Sequence, residues 1–322
     1  MIDATPKIPT LQEIRAAATR LAPHIIRTPL LRLNHYEGES EIFLKLENLQ
    51  PIGVFKVRSM GNAMLTAGAS DLSHGAYTAS SGNAGLGLAW VADKLGIPAT
   101  IYAPESAPTT KLEAARGFGA RIHRVADDRW WQIIENSGHP KDPGFFVDAV
   151  RNPAAIAGNG TIGLEIIEQL PDVDTVIVPF GGGGVACGIA SAIRVLKPDV
   201  RVVVAESDTA APLTAAFKAG RPVPVDVKPS FISGAGAPSV LKEMWPLVSE
   251  LIDDTVVSPV TEVADAVRAL FDHNRVVAEG AGAIPLAGAL SGNASSGKTV
   301  CVVTGGNIDV EIMTKILQHQ AL

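Results

Sequence analysis

The stretch that decides the fold is VIVPFGGGGVACGIASAIR, residues Val176–Arg194. It begins as a short apolar strand, continues through four glycines, and ends in the small apolar residues typical of a buried helix. A helix that starts directly after such a turn leaves backbone N–H groups without partners in its first turn, and the helix dipole adds positive potential there. The stretch therefore predicts a strand–turn–helix unit that binds a phosphate.

The composition of the chain restricts its class. The 322 residues are 47% hydrophobic and 19% charged, which suits one large or two closely packed domains with sizeable cores. A net charge of −6 without a basic run argues against nucleic-acid binding. The two cysteines are far apart and indicate neither a disulfide framework nor a zinc site. The sequence shows no secretory leader and no uninterrupted apolar span, which predicts a cytoplasmic protein without membrane association.

Strand and helix patterns alternate on both sides of the glycine turn. The segments predicted as strands are Glu41–Glu47, Ala76–Ala79, Ala99–Ala103, Arg121–Val125, Arg201–Glu206, Leu251–Val257 and Thr299–Thr304. Helices are predicted over Leu11–Ala22 (with Thr10 as N-cap), Pro108–Phe118, Asp127–Asn136, Ala154–Leu170, Ala210–Ala219 and Val260–His273, after Asn83, after Glu279 and at the end of the chain. This alternation predicts an α/β fold with mostly parallel sheets. The Pro- and Gly-rich segment Arg221–Pro238 is predicted to be a long functional loop.

Two glycine motifs suggest other nucleotide ligands. Gly292–Thr299, GNASSGKT, fits the P-loop pattern, but a predicted helix precedes it and a predicted strand follows, which is the reverse of a P-loop. We therefore interpret it as a polar loop. Gly181, Gly183 and Ala186 satisfy a dinucleotide fingerprint, and Glu206 stands about 20 residues on, where an acid would hold a ribose. From this segment alone, an NAD enzyme is a serious alternative.

A second segment favours a different cofactor. Lys45–Asn62 reads KLENLQPIGVFKVRSMGN, and its Lys56 stands between apolar neighbours near a helix start. Apolar surroundings disfavour the charged form of a lysine, which lowers its pKa and frees a neutral amine for imine formation. The alternative is a surface lysine whose stem lies along the helix edge.

This segment resembles the Schiff-base lysine motif of fold-type II pyridoxal-phosphate enzymes, the threonine/serine dehydratase and serine racemase family. The usual form of that motif is K-x-E-x-x-Q-x-x-G-S-F-K-x-R-G-A. Further blocks follow in family order: Ser80–Gly85 (SSGNAG), Ile156–Thr161 (IAGNGT), the tetraglycine turn, Glu206, Glu279 and Thr304–Asn307 (TGGN). The resemblance implies a tryptophan synthase β-like α/β fold. It also implies a large domain from residues 1–73 and 152–322, a small inserted domain from 74–151, and pyridoxal 5'-phosphate as cofactor.

The resemblance also assigns roles to individual residues. It implies that Lys56 binds the cofactor covalently and acts as the base at Cα, and that Ser81 is an acid or base on the opposite face. Thr304 would meet the pyridine nitrogen with a neutral hydroxyl, which does not favour a protonated ring. The further residues implied to bind cofactor are Phe55, Asn83, Gly181, Gly182, Gly183, Gly184 and Val185. The substrate carboxylate would be bound by the turn Ser80, Ser81, Gly82, Asn83 and Ala84. The alternative for Ser81 is a turn serine that caps the next helix.

The implied function is α,β-elimination from a β-hydroxy-α-amino acid by a homodimeric ammonia-lyase. Departures from the family pattern at Val54, Ser59-Met60, Ala84 and Val150 remove polar groups near the site. They suggest an apolar β-substituent, with L-threo-3-phenylserine as candidate; neutral drift explains them equally well. A racemase or β-replacement enzyme on the same fold is the other alternative. No metal is predicted, because Glu206 lacks a second acid where Pro212 stands and a hard cation wants six or more oxygens.

Overall fold

Two sheets organise the chain in a computed structural model that describes residues 5–38, 40–107, 109–292 and 297–321. The strands are β1 (Leu30–Arg32), β2 (Glu41–Leu46), β3 (Ala76–Ala79), β4 (Ala99–Pro104), β5 (Arg121–Val125), β6 (Phe145–Phe146), β7 (Thr175–Pro179), β8 (Arg201–Ser207), β9 (Asp254–Ser258) and β10 (Lys298–Val303). The larger sheet has the order β1-β2-β10-β7-β8-β9 and the smaller one β5-β4-β3-β6. The β1–β2 pair is antiparallel and the other pairs are parallel, which confirms the predicted α/β class.

Helices connect these strands. They are α1 (Leu11–Leu21), α2 (Lys56–Thr66), α3 (Asn83–Leu95), α4 (Thr109–Gly117), α5 (Asp127–Glu135), α6 (Pro153–Gln169), α7 (Gly184–Leu196), α8 (Pro212–Ala219), α9 (Trp245–Leu251), α10 (Val260–Asn274), α11 (Gly280–Leu290) and α12 (Val310–Leu317). The predicted cap of α1 is confirmed, since the Thr10 hydroxyl accepts the Glu13 N–H and the Glu13 carboxylate accepts the Thr10 N–H. Within the described residues, no helix is long and apolar enough to cross a membrane.

The smaller sheet lies within the range predicted for an inserted domain. Its strands run from residue 76 to residue 146, and the larger sheet is built from segments on either side. One hydrophobic core contains buried side chains of both parts, for example Ile101 from β4 and Val176 from β7. The boundaries 74 and 151 stay a prediction.

Three local predictions need comment. The strand predicted over Leu251–Val257 is wrong at its start, because Leu251 ends helix α9 and β9 begins at Asp254. Leu251 is buried with the apolar face of α9, so a short apolar run was compatible with either state. Helix α11 precedes and β10 follows the P-loop-like segment, which confirms the reversed context. Residues 293–296 of that segment lie outside the described residues. Arg221–Pro238 has neither helix nor strand, as predicted.

Candidate active site

A cavity of about 360 Å³ lies where β7 and β10 end and where helices α2, α3 and α7 begin. This edge is where ligands bind in parallel α/β sheets, and the volume is that of a small-molecule site. Every site residue predicted from the sequence lines it: Phe55, Lys56, Ser80, Ser81, Gly82, Asn83, Ala84, Gly181, Gly182, Gly183, Gly184, Val185 and Thr304. The fold thus assembles segments that are up to about 250 residues apart in the chain.

The tetraglycine turn presents backbone rather than side chains to this cavity. Gly183 is the N-cap of α7 with a φ of 95°, a left-handed conformation that side chains rarely adopt. Among the residues that the structure describes, no side chain caps the helix, and the Cys187 N–H to Gly183 carbonyl bond is the first bond of its backbone ladder. A Cβ on Gly182 would lie 2.7 Å from a Val150 methyl. The turn therefore leaves the first N–H groups of α7 available for an anion and has no room for a side chain.

Lys56 is the first residue of α2 and lies in the cavity wall rather than on the outer surface. The residue before it is fixed by a hydrogen bond from the Phe55 N–H to the Thr304 carbonyl, 3.0 Å. Burial lowers the pKa of Lys56 to about 8, against the opposing charge of Asp148. The Nζ atom stands 4.7 Å from the centroid of the Phe55 ring. A neutral amine is therefore accessible near neutral pH, as nucleophilic attack on an aldehyde requires.

The two serines of the turn before α3, Ser80 and Ser81, have different roles. The Ser80 hydroxyl is buried and accepts the N–H groups of Gly82 and Gly85, at 3.1 and 2.9 Å. Ser80 thus fixes the turn, and the capping role considered for Ser81 is wrong. The Ser81 side chain lines the cavity and makes no hydrogen bond to the described residues. Its hydroxyl is available for a ligand.

The side-chain amide of Asn83 is oriented by hydrogen bonds to Glu279 and Asn307. Its Nδ2 donates to Glu279 Oε1 at 2.5 Å, and its Oδ1 accepts from Asn307 Nδ2 at 3.1 Å. The other oxygen of Glu279 accepts from Lys111 Nζ at 2.7 Å. Burial raises the pKa of Glu279, and the charge of Lys111 offsets this only in part. Asn83 therefore has one Nδ2 hydrogen left to offer to a ligand.

A buried charge network supports the start of α2. Arg58 is fully buried and donates to both oxygens of Glu47, at 2.7 and 2.8 Å, and to both oxygens of Glu165. Lys45 donates to Glu165 and to the Thr28 carbonyl. Burial works to raise the pKa of Glu47, but the charge and hydrogen bonds of Arg58 hold it below its ordinary value. The motif residues Lys45, Glu47 and Arg58 are therefore structural, and through Glu165 they connect the segments on either side of Lys56 to helix α6.

The position of Glu206 does not support the dinucleotide alternative. Its carboxylate accepts the N–H groups of Leu213 and Thr214, each at 2.8 Å, and the Thr214 hydroxyl at 2.7 Å. These residues are in the first turn of α8, so Glu206 accepts hydrogen bonds from N–H groups that have no partner within that helix. Its oxygens are engaged within the fold.

Outside the predicted residues, the cavity wall is mainly apolar, and Ser239 and Glu279 are its polar side chains among the described residues. Of the described residues that line it, Lys56 and Glu279 are the charged ones. The apolar members beyond the predicted set include Trp130, Trp131, Ile134, Ala149, Val227, Pro238 and Leu241. Val150, which the sequence singled out as a loss of polarity, is among the lining residues. The sequence signal that could have indicated part of this wall is the Trp130-Trp131 pair in the middle of the short amphipathic helix α5.

Comparisons with known proteins identify the class. Residues 21–305 match the model of the pyridoxal-phosphate dependent enzyme family, and the chain belongs to that family. It is 36% identical over 313 residues to an L-threonine ammonia-lyase of Geobacter sulfurreducens, covering 95% of this chain and 77% of that protein. It is 34% identical to a beta-hydroxyaspartate dehydratase of Paracoccus denitrificans, covering 94% and 98%. The structure of maize serine racemase superimposes with a TM-score of 0.83 at 30% identity, covering 97% and 99%.

These findings confirm the resemblance to fold-type II enzymes of the threonine/serine dehydratase family, and with it the predicted class of pyridoxal-phosphate-dependent ammonia-lyase. The residues present fit the cofactor. The uncapped start of α7 suits its phosphate, the partly buried amine of Lys56 suits its aldehyde, and the hydroxyl side chain of Thr304 faces the same cavity. The cofactor is therefore pyridoxal 5'-phosphate.

Proposed function

We propose that this enzyme removes water from a β-hydroxy-α-amino acid and releases a 2-oxo acid and ammonia. The observation that carries the proposal is the cavity itself, which brings Lys56, Ser81 and Asn83 to the anion-binding turn Gly181–Gly184. Bound pyridoxal phosphate supplies the electron sink that labilises the Cα–H bond. The Cα proton leaves, the Cβ–OH bond breaks with a proton added to the departing oxygen, and the resulting enamine tautomerises and hydrolyses in water to the products.

We assign the proton transfers to groups in this cavity, which Lys56 and Ser81 both line. Lys56 takes the Cα proton, since burial lowers the pKa of its amine to about 8. Ser81 or the cofactor phosphate supplies the proton to the departing hydroxyl. The turn Ser80–Ala84 binds the substrate carboxylate through backbone N–H groups, because the Ser80 hydroxyl fixes that turn from within.

Ser81→Ala tests the second assignment. We expect turnover to fall by roughly 10²–10⁴-fold, the usual contribution of a general acid or base, while the visible absorbance of the lysine-bound cofactor stays unchanged. Keto-acid formation and an absorbance spectrum on the same sample measure both. The matched control is Ser249→Ala, a serine in α9 that hydrogen-bonds only locally, to the Pro246 carbonyl. Unchanged turnover in Ser81→Ala would remove this serine from the reaction.

We further propose an aromatic or bulky apolar β-substituent, with L-threo-3-phenylserine as the first candidate. The cavity wall that carries Trp130, Trp131 and Val150 is apolar. No second cation accompanies Lys56 among the described lining residues, so an acidic β-substituent would enter without a counter-charge. In this respect the proposal for this protein differs from the substrate that the name of its relative, the beta-hydroxyaspartate dehydratase, indicates.

A substrate panel tests this specificity. Burying a phenyl group is worth about 1.5–3 kcal/mol, which corresponds to a kcat/KM about 10–150-fold higher for L-threo-phenylserine than for L-serine. Trp131→Ala should reduce that ratio, whereas Trp245→Ala, outside the cavity and packed on Phe217, should leave it unchanged. If L-serine or L-threonine is clearly the best substrate of the wild type, this refinement fails. The proposal of elimination is unaffected by that outcome.

Two further expectations from the sequence stay proposals. We infer a homodimer in the cytoplasm, and sedimentation of the purified protein measures its oligomeric state. A racemase on this fold would exchange the Cα proton without ammonia release, and a β-replacement enzyme would incorporate a thiol. Ammonia and keto acid in equal amounts distinguish the proposed lyase from both.

A further inference from the structure

The side chain of Lys111 connects three parts of the site, although Lys111 is not one of the described residues that line the cavity. Its Nζ donates to Glu279 Oε2 at 2.7 Å and to the Ser233 hydroxyl at 2.6 Å. Its stem packs under the carboxylate-binding turn, since a Cβ on Gly82 would lie 2.8 Å from Lys111 Cδ. The side chain is 9% exposed. One buried lysine thus contacts the turn before α3 through its stem, and the loop Arg221–Pro238 and the acid that holds Asn83 through its amine.

The ionisation state of Glu279 decides how Asn83 is oriented. An ionised carboxylate only accepts hydrogen bonds, so it selects the Nδ2 side of the amide, and Asn307 selects the Oδ1 side by donating to it. A protonated Glu279 could donate instead, which would permit the flipped amide. Lys111 is the charged group that the described residues bring to Glu279; the other groups against that carboxylate, Asn83 and the backbone at Gly305, are neutral.

We propose that Lys111 is a positioning residue that keeps Glu279 ionised and thereby presents an Asn83 N–H to the ring hydroxyl of the cofactor. The inference rests on the proposed function and on the cofactor contact of Asn83 that the family resemblance implies. Burial raises the pKa of Glu279, and the charge and hydrogen bond of Lys111 oppose this more strongly than the hydrogen bond of Asn83 does. Loss of that attraction would raise the pKa of Glu279 further.

The test compares Lys111→Met with Lys111→Arg in the holoenzyme. In Lys111→Met, we expect the acid limb of the pH titration of the bound cofactor's absorbance, and of kcat, to move up by about one pH unit or more. Lys111→Arg keeps the charge and should restore the wild-type profile. Glu279→Gln removes the ionisable group and should lose this limb altogether. An unchanged profile in Lys111→Met, or a limb that persists in Glu279→Gln, overturns the inference.

Cofactor-free protein gives a second readout. Burial raises the pKa of Glu279 in the folded protein. The contribution of such a group to stability is present at low pH and is lost as the pH rises through its folded-state pKa. The melting temperatures of wild type and Lys111→Met should therefore be close in acid and diverge as the pH increases, whereas Lys111→Met/Glu279→Gln should show no such divergence. If Lys111→Met does not fold, Lys111→Gln, which removes the same charge and keeps Glu279, replaces it in both measurements, and an unchanged profile there overturns the inference. Absence of lysine-bound cofactor or keto acid in the wild type would instead contradict the proposed function.

Discussion

Lys56→Ala is expected to abolish the visible absorbance of the lysine-bound cofactor and to reduce keto-acid formation by at least about 10²–10⁴-fold, the range lost with a general base. Covalent capture is lost as well, so the effect on turnover should exceed that of any other single change in the cavity. The physical reason is the placement of the amine. It lies at the first residue of α2, in the cavity wall, with a pKa lowered to about 8 by burial.

Lys94→Ala is the matched control for this variant. Lys94 is exposed near the end of α3 and stands over the Trp90 ring, away from the cavity, so absorbance and turnover should match those of the wild type. Borohydride reduction of loaded wild-type enzyme followed by peptide mass mapping locates the modified lysine. Modification of any lysine other than Lys56, or full absorbance in Lys56→Ala, would contradict the assignment of the cofactor site.

Much of the architecture was predictable from local sequence patterns. Strands β3 and β5 match their predicted ranges residue for residue, and the ends of most helices fall within two residues of prediction. These segments have regular periodicity and clear glycine or proline boundaries, which determine local structure. The short strand β1 lacks both signals, because its three residues depend on pairing with β2. Helix α9 was not predicted, because its seven residues make only about two turns and show too little periodicity.

The parts of the site that act through backbone groups were predictable from the sequence. The glycine turn and the turn before α3 are contiguous in sequence, so their function is visible in short motifs. The charge pairs that support them are not contiguous. Lys111 is 168 residues from Glu279, and Arg58 is 107 from Glu165, so no local pattern identifies either pair. Such partners become known only when the fold brings them together.

Arg58→Met is expected to destabilise the protein by about 3–5 kcal/mol, the cost of leaving a buried charge without its partner. The side chains of Arg58 and Glu47 are both fully buried, and the arginine is the group that donates to both oxygens of Glu47. Without it, the carboxylate keeps the Thr28 hydroxyl and the Gln50 amide as hydrogen-bond donors. Two neutral donors cannot replace a bidentate guanidinium in this interior. Urea unfolding of the cofactor-free protein measures the loss.

Two further variants separate charge from packing. Arg58→Met/Glu47→Gln removes both charges of the pair, so its free energy of unfolding should lie above that of Arg58→Met alone, because no uncompensated carboxylate remains at Glu47. Arg27→Met breaks an exposed pair with Glu168, whose side chains are 54% and 57% exposed, and should cost less than about 1 kcal/mol. A double variant less stable than Arg58→Met would contradict this account, because it would mean that the Glu47 carboxylate remains favourable without Arg58, through its hydrogen bonds to Thr28 and Gln50.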